Sequence, residues 1–210
     1  MGCDIHEYVE HKVNGVWKLV PASKGPLDYF DNFIKDGDKD KGKHNWNLPR
    51  NYSFFGLMAG VRSETFNPLQ PRRGIPDDIS AGVAKQWKDW DGDGHSPSYY
   101  TLTELLDFKT KNSTAVSYLS MKEYKNCKTL GYPDDWNGYP PYNGKEISNN
   151  EMDRIINLLA FWDGVNYYTE TIWEHPNRLI CDHFWDNMIP AMQKLDSNTD
   201  NVRFVFWFDN

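Results

Sequence analysis

Apolar and polar positions alternate from Cys3 to Val13 and again from Val16 to Val20, with Asn14-Gly15 between the two runs. Period two marks strands, and Asn-Gly favours the type I′ turn that joins them, so the chain opens as a β-hairpin. Alternation puts Cys3, Ile5 and Val9 on one face and Asp4, His6, Tyr8 and Glu10 on the other. The second face is an ionisable stripe, readable as a solvated surface or as part of a site. A dense apolar run, SFFGLMAGV, predicts a buried helix after Arg50-Asn51-Tyr52, with Gly56 and Gly60 marking close packing. ISAGVAKQWKDW predicts another short helix.

Three pairs carry capping-box spacing: Thr101 with Glu104, Ser120 with Glu123, and Ser148 with Glu151. They predict helices over TLTELLDF, near 121–127 and near 149–160. YYTETIWEH alternates as a strand, Pro176 suits the first turn of a helix NRLICDHFWDNMI, and Pro190 is expected to kink or end it. NVRFVFWFDN closes the chain as a β-prone strand. Residues 65–78 carry Pro68, Pro71 and Pro76 and read as an ordered loop, as does DGDGHSPSYY. Longer excursions are expected at 21–49, which includes the charged run KDGDKDKGK, and at 129–147, whose tyrosine-rich stretch 132–143 is a candidate lid. Without an internal repeat or an evident linker, the pattern predicts one α+β domain over 1–210. Its mainly antiparallel sheet holds the hairpin and the C-terminal strand, accompanied by several helices and long ordered loops.

Composition changes this picture in two ways. Apolar residues make up 39% but aromatic residues 15%, so the core draws heavily on flat rings that can equally stack on a ligand. Thirty acidic against 23 basic side chains give a net charge of −7, which opposes wrapping a long nucleic acid but permits a small anion held by a few arginines. No apolar run is long enough for a bilayer span and the first residues lack a leader pattern, so a soluble, cytoplasmic protein is expected, with no membrane partner. Gly2 alone does not make a myristoylation signal, because His6 stands where Ser or Thr belongs. Cys3, Cys127 and Cys181 are odd in number and widely spaced, implying neither a disulfide framework nor a zinc framework. A homo-oligomer remains open.

Candidate chemistry is sparse. GxSxG, GxxxxGK and GxGxxG are all lacking, which removes support for acyl transfer and for ordinary nucleotide triphosphatase chemistry. Asp89, Asp91, Asp93 and Gly94 match the first half of a calcium loop, but Tyr100 stands where the closing glutamate is required, and Asp36, Asp38 and Asp40 lack glycine and closing acid alike. Asp4, His6, Asp93 and His95 are candidates for one divalent metal in a phosphoester hydrolase. Asp4 paired internally with His6 is the competing reading. Cys3 is placed on the strand face opposite His6 and reads as a structural thiol. Arg50, Arg62, Arg72, Arg73 and Arg203 adjoin loops or strand ends that hold Asn51, Tyr52 and Trp207, the parts of a pocket with arginine forks on phosphate and rings on a base. Each arginine is equally able to pair with one of the abundant carboxylates.

These motifs together resemble a family of phage and bacterial proteins that begin MGCDIH and end in a strand like VRxVFWFDN. RNYSFFGLMAGVR is similar to the family's RNY-led helix, PRRGIPDD to its PRGLPDD loop, and DGHSPSYYTLTELL to its DGHSHSxLTxxEL segment. The likeness covers 1–20, 50–108 and 167–210. Pro97 departs from the family pattern, which commonly has a second histidine there, so a metal site using both histidines is incomplete. Carried across by position, the resemblance implies a ligand-binding pocket of Asp4, His6, Arg50, Asn51, Tyr52, Arg73, Asp77, Asp78, His95, Ser96, Ser98, Trp207, Asp209 and Asn210. It also implies a phage anti-defence role, expected as binding and sequestering of a nucleotide-derived immune signal such as a cyclic nucleotide or a cyclic ADP-ribose-like molecule. No cofactor or catalytic residue is called for. A metal-dependent phosphodiesterase and a protein-binding inhibitor are the alternatives.

Overall fold

The computed structural model describes residues 2–21, 46, 48–90, 92–158 and 164–209. Most of the expected 21–49 excursion, with Asp36, Asp38 and Asp40, lies outside the described residues, as do Asp91 and Asn210. The strands are β1 (Ile5–Val13), β2 (Val16–Leu19), β3 (His95–Thr101), β4 (Asn112–Ser120), β5 (Gly144–Glu146), β6 (Asn166–Pro176) and β7 (Val202–Phe208). The α-helices are α1 (Tyr52–Ala59), α2 (Ala81–Asp89), α3 (Leu102–Lys109), α4 (Met121–Leu130), α5 (Asn149–Ile156) and α6 (Ile189–Gln193). The class is α+β, built on open sheets. No helix among the described residues is long and apolar enough to cross a membrane.

The first sheet has the order β2-β1-β7-β3 and is antiparallel throughout. Asn14 (φ 52°) and Gly15 (φ 79°) both turn left-handed, the geometry of the expected hairpin turn. The C-terminal strand lies beside β1, with Ile5 opposite Phe208 and Glu10 opposite Arg203. Directly paired residues share a face, so Phe204, Phe206 and Phe208 join Ile5 and Val9 in the main core, against α1, α3 and the 184–193 helix. Arg203, Val205 and Trp207 share the other face with His6, Tyr8 and Glu10, which α2 covers through Val83 and Trp87. The far half of the ionisable stripe is therefore an interior layer, with Tyr8 4% exposed and Glu10 fully buried, whereas Asp4 stays exposed and His6 half-buried.

The second sheet, β4-β6-β5, was not anticipated; its first pair is antiparallel and its second parallel. Its inner residues Ala115, Leu119 and Trp173 belong to the same apolar cluster as Phe204 and Phe206, so one core runs through both sheets.

Local signals place most helices. Asn51 caps α1 by accepting from the Phe54 N–H, and Gly60 (φ 65°) closes it in the left-handed conformation. Reciprocal capping boxes form at Thr101–Glu104 and Ser148–Glu151. At Ser120 only the hydroxyl half forms, because the Glu123 carboxylate instead accepts the Asp134 and Asp135 N–H groups.

Two expectations need correcting. HSPSYYT is strand β3, not loop: it is the outer strand of the first sheet, and a bulge between His95 and Ser98 accommodates Pro97, which has no N–H for a ladder. Pro190 does not end its helix. The helical run passes through it: a π-helical turn at Phe184–Met188 leads without a break into α6, and the widened turn just before Pro190 is where the helix departs from regular geometry. Pro176 ends β6 and precedes a 3₁₀ turn, Asn177–Leu179. The 129–147 segment lies along the second sheet, with Asn137 bridging Tyr118 and β5 pairing β6.

Candidate ligand-binding site

The strand register gathers one subset of the candidate residues at a single end of the first sheet. Phe208 pairs with Ile5 on one side and His95 on the other. Just beyond the β7 end, the Asp209 N–H donates to the Asp4 carbonyl (3.1 Å), and the Asp4 N–H donates to Asp209 Oδ1 (2.9 Å). Asp209 Oδ2 meets His6 Nε2 at 3.1 Å. Arg50 forks onto Asp4 through Nε (2.8 Å) and Nη2 (2.7 Å), which holds the Asp4 carboxyl below its ordinary value. Both members of this pair are about half exposed, so it is weakly held and open to exchange. Tyr52, exposed beside Cys3, accepts the Cys3 N–H at 3.4 Å.

Across the strand end, His95 Nδ1 lies 3.1 Å from Ser96 Oγ, and Arg72 Nη1 donates to the same hydroxyl. Ser96 has φ 52°, a left-handed conformation rare in non-glycine residues and found disproportionately at functional sites. Nε2 of His95 is buried and makes no hydrogen bond among the described residues. Arg72 therefore engages a neutral oxygen and keeps its charge unneutralised at this contact, unlike Arg50.

The remaining candidates are scattered or committed elsewhere. Arg73 forks onto Glu104 and bonds Gln70, while its N–H donates to Ser98 Oγ; it ties the proline-rich loop to α3. Burial opposes ionisation of Glu104, but the bonds from Arg73 and Thr101 prevail and its carboxyl sits below its ordinary value. Ser98 and Trp207 are fully buried, so in this conformation neither offers a ligand a surface. Trp207 stacks on Tyr8 at 4.7 Å and meets the edge of Trp87 at 5.2 Å. Asn51 serves the helix cap and donates to the Ile180 carbonyl (2.8 Å). Asp78 bonds Arg203 (2.6 Å) and Trp17 (2.8 Å), five residues along β7 from Phe208, or roughly 17 Å away at strand rise. Asp77 is exposed on the same loop.

His6 and His95 also lie on opposite faces. His6 pairs with Trp207, and its ring sits 3.9 Å from that of Trp90; His95 pairs with Phe208, and its ring lies 6.1 Å from that one. Asp93 is exposed in the turn after α2. Asp4, His6, Asp93 and His95 thus do not converge, and among the described residues no group of three or more His, Cys, Asp or Glu side chains is arranged to hold a metal ion. The candidate lid 132–143 packs on the second sheet: Trp136 contacts Phe66 and Trp173, while Tyr139 and Tyr142 remain exposed.

Sequence reasoning missed Trp90 as the partner of His6 and did not single out Arg72 among the arginines. Trp87, Lys88, Trp90, Gly92 and Gly94 line a cavity of about 260 Å³, whose glycine wall leads directly into His95 and Ser96. A Cβ on Gly94 would stand 2.8 Å from the Trp87 ring, so glycine lets the turn close over the indoles. The volume is below that of pockets enclosing a whole drug-sized ligand and suits one planar ring. The tryptophan and glycine pattern QWKDWDGDG was the signal that carried it.

Fold and site define an α+β protein whose antiparallel sheet ends in a polar cluster beside a small indole-lined cavity. No protein-family model, curated protein or solved structure matches the chain.

Proposed function

We propose that this protein binds a small anionic, nucleotide-derived molecule, a cyclic nucleotide or a cyclic ADP-ribose-like signal, and retains it unchanged. The observation that carries the reading is Arg72 bonded to the neutral hydroxyl of the left-handed Ser96 while Arg50, Arg73 and Arg203 are each paired with a carboxylate. A phosphate accepts from a guanidinium and a serine hydroxyl together, and the indole-lined cavity, whose wall ends at Gly94 two residues before Ser96, has room for one planar ring. Sequestration requires positioning and enclosure rather than a nucleophile. The resemblance to phage proteins supplies the setting, in which such binding removes a host immune signal as an anti-defence sponge.

The test incubates the purified protein with a panel of cyclic nucleotides and ADP-ribose derivatives, removes free compound, heat-denatures the protein and identifies what is released. Recovery of an intact compound, depleted by the wild type and not by Arg72→Ala, is expected. Release of an altered product would replace sequestration with hydrolysis, and no depletion of any compound would overturn the nucleotide reading.

A further inference from the structure

The second sheet is incomplete along β6. Toward β4 the strand is paired from Tyr168 to Pro176, but on its other side β5 pairs only with Asn166, Tyr167 and Tyr168. The Ile147 N–H donates to the Tyr168 carbonyl, so the backbone groups of Tyr168 point away from β4. By the alternation of an antiparallel ladder, those of Glu170, Ile172 and Glu174 do the same. Among the described residues no strand receives them. The side chains of these three residues are exposed on the outer face, Ile172 at 68%. A groove of about 600 Å³ runs beside this edge between Glu170 and Ile172 of β6, Asn149, Asn150 and Asp153 of α5, and Lys128 of α4. Lys128 is already engaged by Asp153 (3.3 Å) and the Tyr124 ring, so the acids of the edge keep their negative field.

The geometry points to β-strand addition: this edge takes an extended segment of a partner protein, with basic residues flanking an apolar β-branched one. An added strand draws its affinity from main-chain bonds and its specificity from alternate side chains. On the exposed face those side chains lie opposite Glu170, Ile172 and Glu174, which selects the spacing basic-x-apolar-x-basic. A second copy of this chain is disfavoured. Antiparallel self-pairing centred on Ile172 sets Glu170 opposite Glu174 of the other copy at both flanks, and directly opposed like charges destabilise a ladder.

The test titrates the full-length ¹⁵N-labelled chain with the peptide acetyl-Thr-Lys-Thr-Val-Thr-Lys-Thr-amide and with its counterpart carrying Glu for Lys. Saturable shifts and slowed exchange at the amides of Glu170, Ile172 and Glu174 are expected with the lysine peptide alone, weakening as salt rises. Glu170→Lys combined with Glu174→Lys, both on the exposed face, is expected to weaken the lysine peptide by about tenfold and to admit the glutamate peptide. Ile172→Pro removes the outward N–H and is expected to block both. Equal binding of the two peptides, shifts confined to another surface, dimerisation through this edge, or no binding at millimolar peptide would overturn the proposal.

Discussion

Arg203 and Glu10 face each other across the β7–β1 ladder, with Arg203 Nε donating to Glu10 Oε2 at 2.6 Å, and the two side chains are 4% and 0% exposed. The network around them is complete. Arg203 also bonds Asp78 Oδ1 (2.6 Å) and the Asp78 carbonyl (3.1 Å), and its guanidinium lies 4.0 Å from the Trp17 ring centroid. Glu10 Oε1 accepts the Ser80 N–H that opens α2. One ion pair thus locks the strand register, seats α2 and anchors the proline-rich loop. It lies in the half of the polar stripe, Tyr8 and Glu10, that α2 and the loop before it cover.

Truncating Glu10 takes the buried carboxylate from the Arg203 guanidinium, which keeps the more exposed Asp78, and leaves the buried Ser80 N–H without its acceptor. Glu10→Ala is expected to cost about 3–5 kcal/mol, whereas Glu10→Leu combined with Arg203→Met recovers much of that loss. Urea denaturation of the single and double variants checks the ordering. Equal destabilisation by both would mean that the pair contributes net attraction beyond its desolvation cost.

Features with local signals were legible in the sequence. Asn14-Gly15 makes its hairpin from two residues, and Thr101–Glu104 and Ser148–Glu151 start their helices within one turn. Strand β3 was not legible, because what holds HSPSYYT extended is β7, a hundred residues downstream, while its Pro and Ser content argues locally for a loop. Alternation correctly put Asp4 and His6 on one face, but nothing local reveals that α2 covers that face. Nor does it reveal that Asp209, from the far end of the chain, closes the cluster. Residue type alone left each arginine readable as a phosphate ligand or as the partner of a carboxylate. Their individual carboxylate partners depend on tertiary contacts that composition does not contain.

Gly56 sits inside α1, where a built Cβ would stand 2.1 Å from Ser63 Cβ. Alanine is ordinarily the better helix former by about 1 kcal/mol, yet here the steric term decides. Gly56→Ala is expected to destabilise the protein by about 1–3 kcal/mol, as overpacking does. Thermal unfolding checks it, and Gly56→Ala with Ser63→Gly is expected to regain part of the loss.

Trp173 donates its indole N–H to His175 Nδ1 at 3.3 Å, inside a cage of Phe66, Tyr132 and Trp136 rings. Because indole nitrogen only donates, Nδ1 must be unprotonated there. Burial lowers the His175 pKa from its ordinary value to about 4. The unfolded chain, titrating near 6.5, then binds the extra proton first as pH falls. Stability is therefore fully present above about pH 6.5 and declines toward pH 4, by up to roughly 3 kcal/mol from this group. His175→Gln, which can still accept from Trp173, is expected to flatten that window when urea midpoints are compared at pH 7, 5.5 and 4.5. An unchanged slope would assign the acid sensitivity to other groups.

Ser96 separates strain from binding, because the two respond to different substitutions. Its left-handed backbone is uncomfortable for a residue with a Cβ and comfortable for glycine. Its hydroxyl meets Arg72 and His95. Ser96→Gly relieves the strain and loses both contacts, so stability is expected to hold or rise by up to about 1 kcal/mol. Ser96→Ala keeps the strain and loses the contacts, and is expected to be less stable by about 1 kcal/mol. Under the proposed function, ligand depletion is expected to fall in both variants, whatever the direction of the stability change, because both lack the hydroxyl proposed to share a phosphate with Arg72. Were the site merely weakened by unfolding, depletion would instead follow stability and the glycine variant would bind as the wild type does. Measuring unfolding and depletion on the same two preparations decides between the two outcomes.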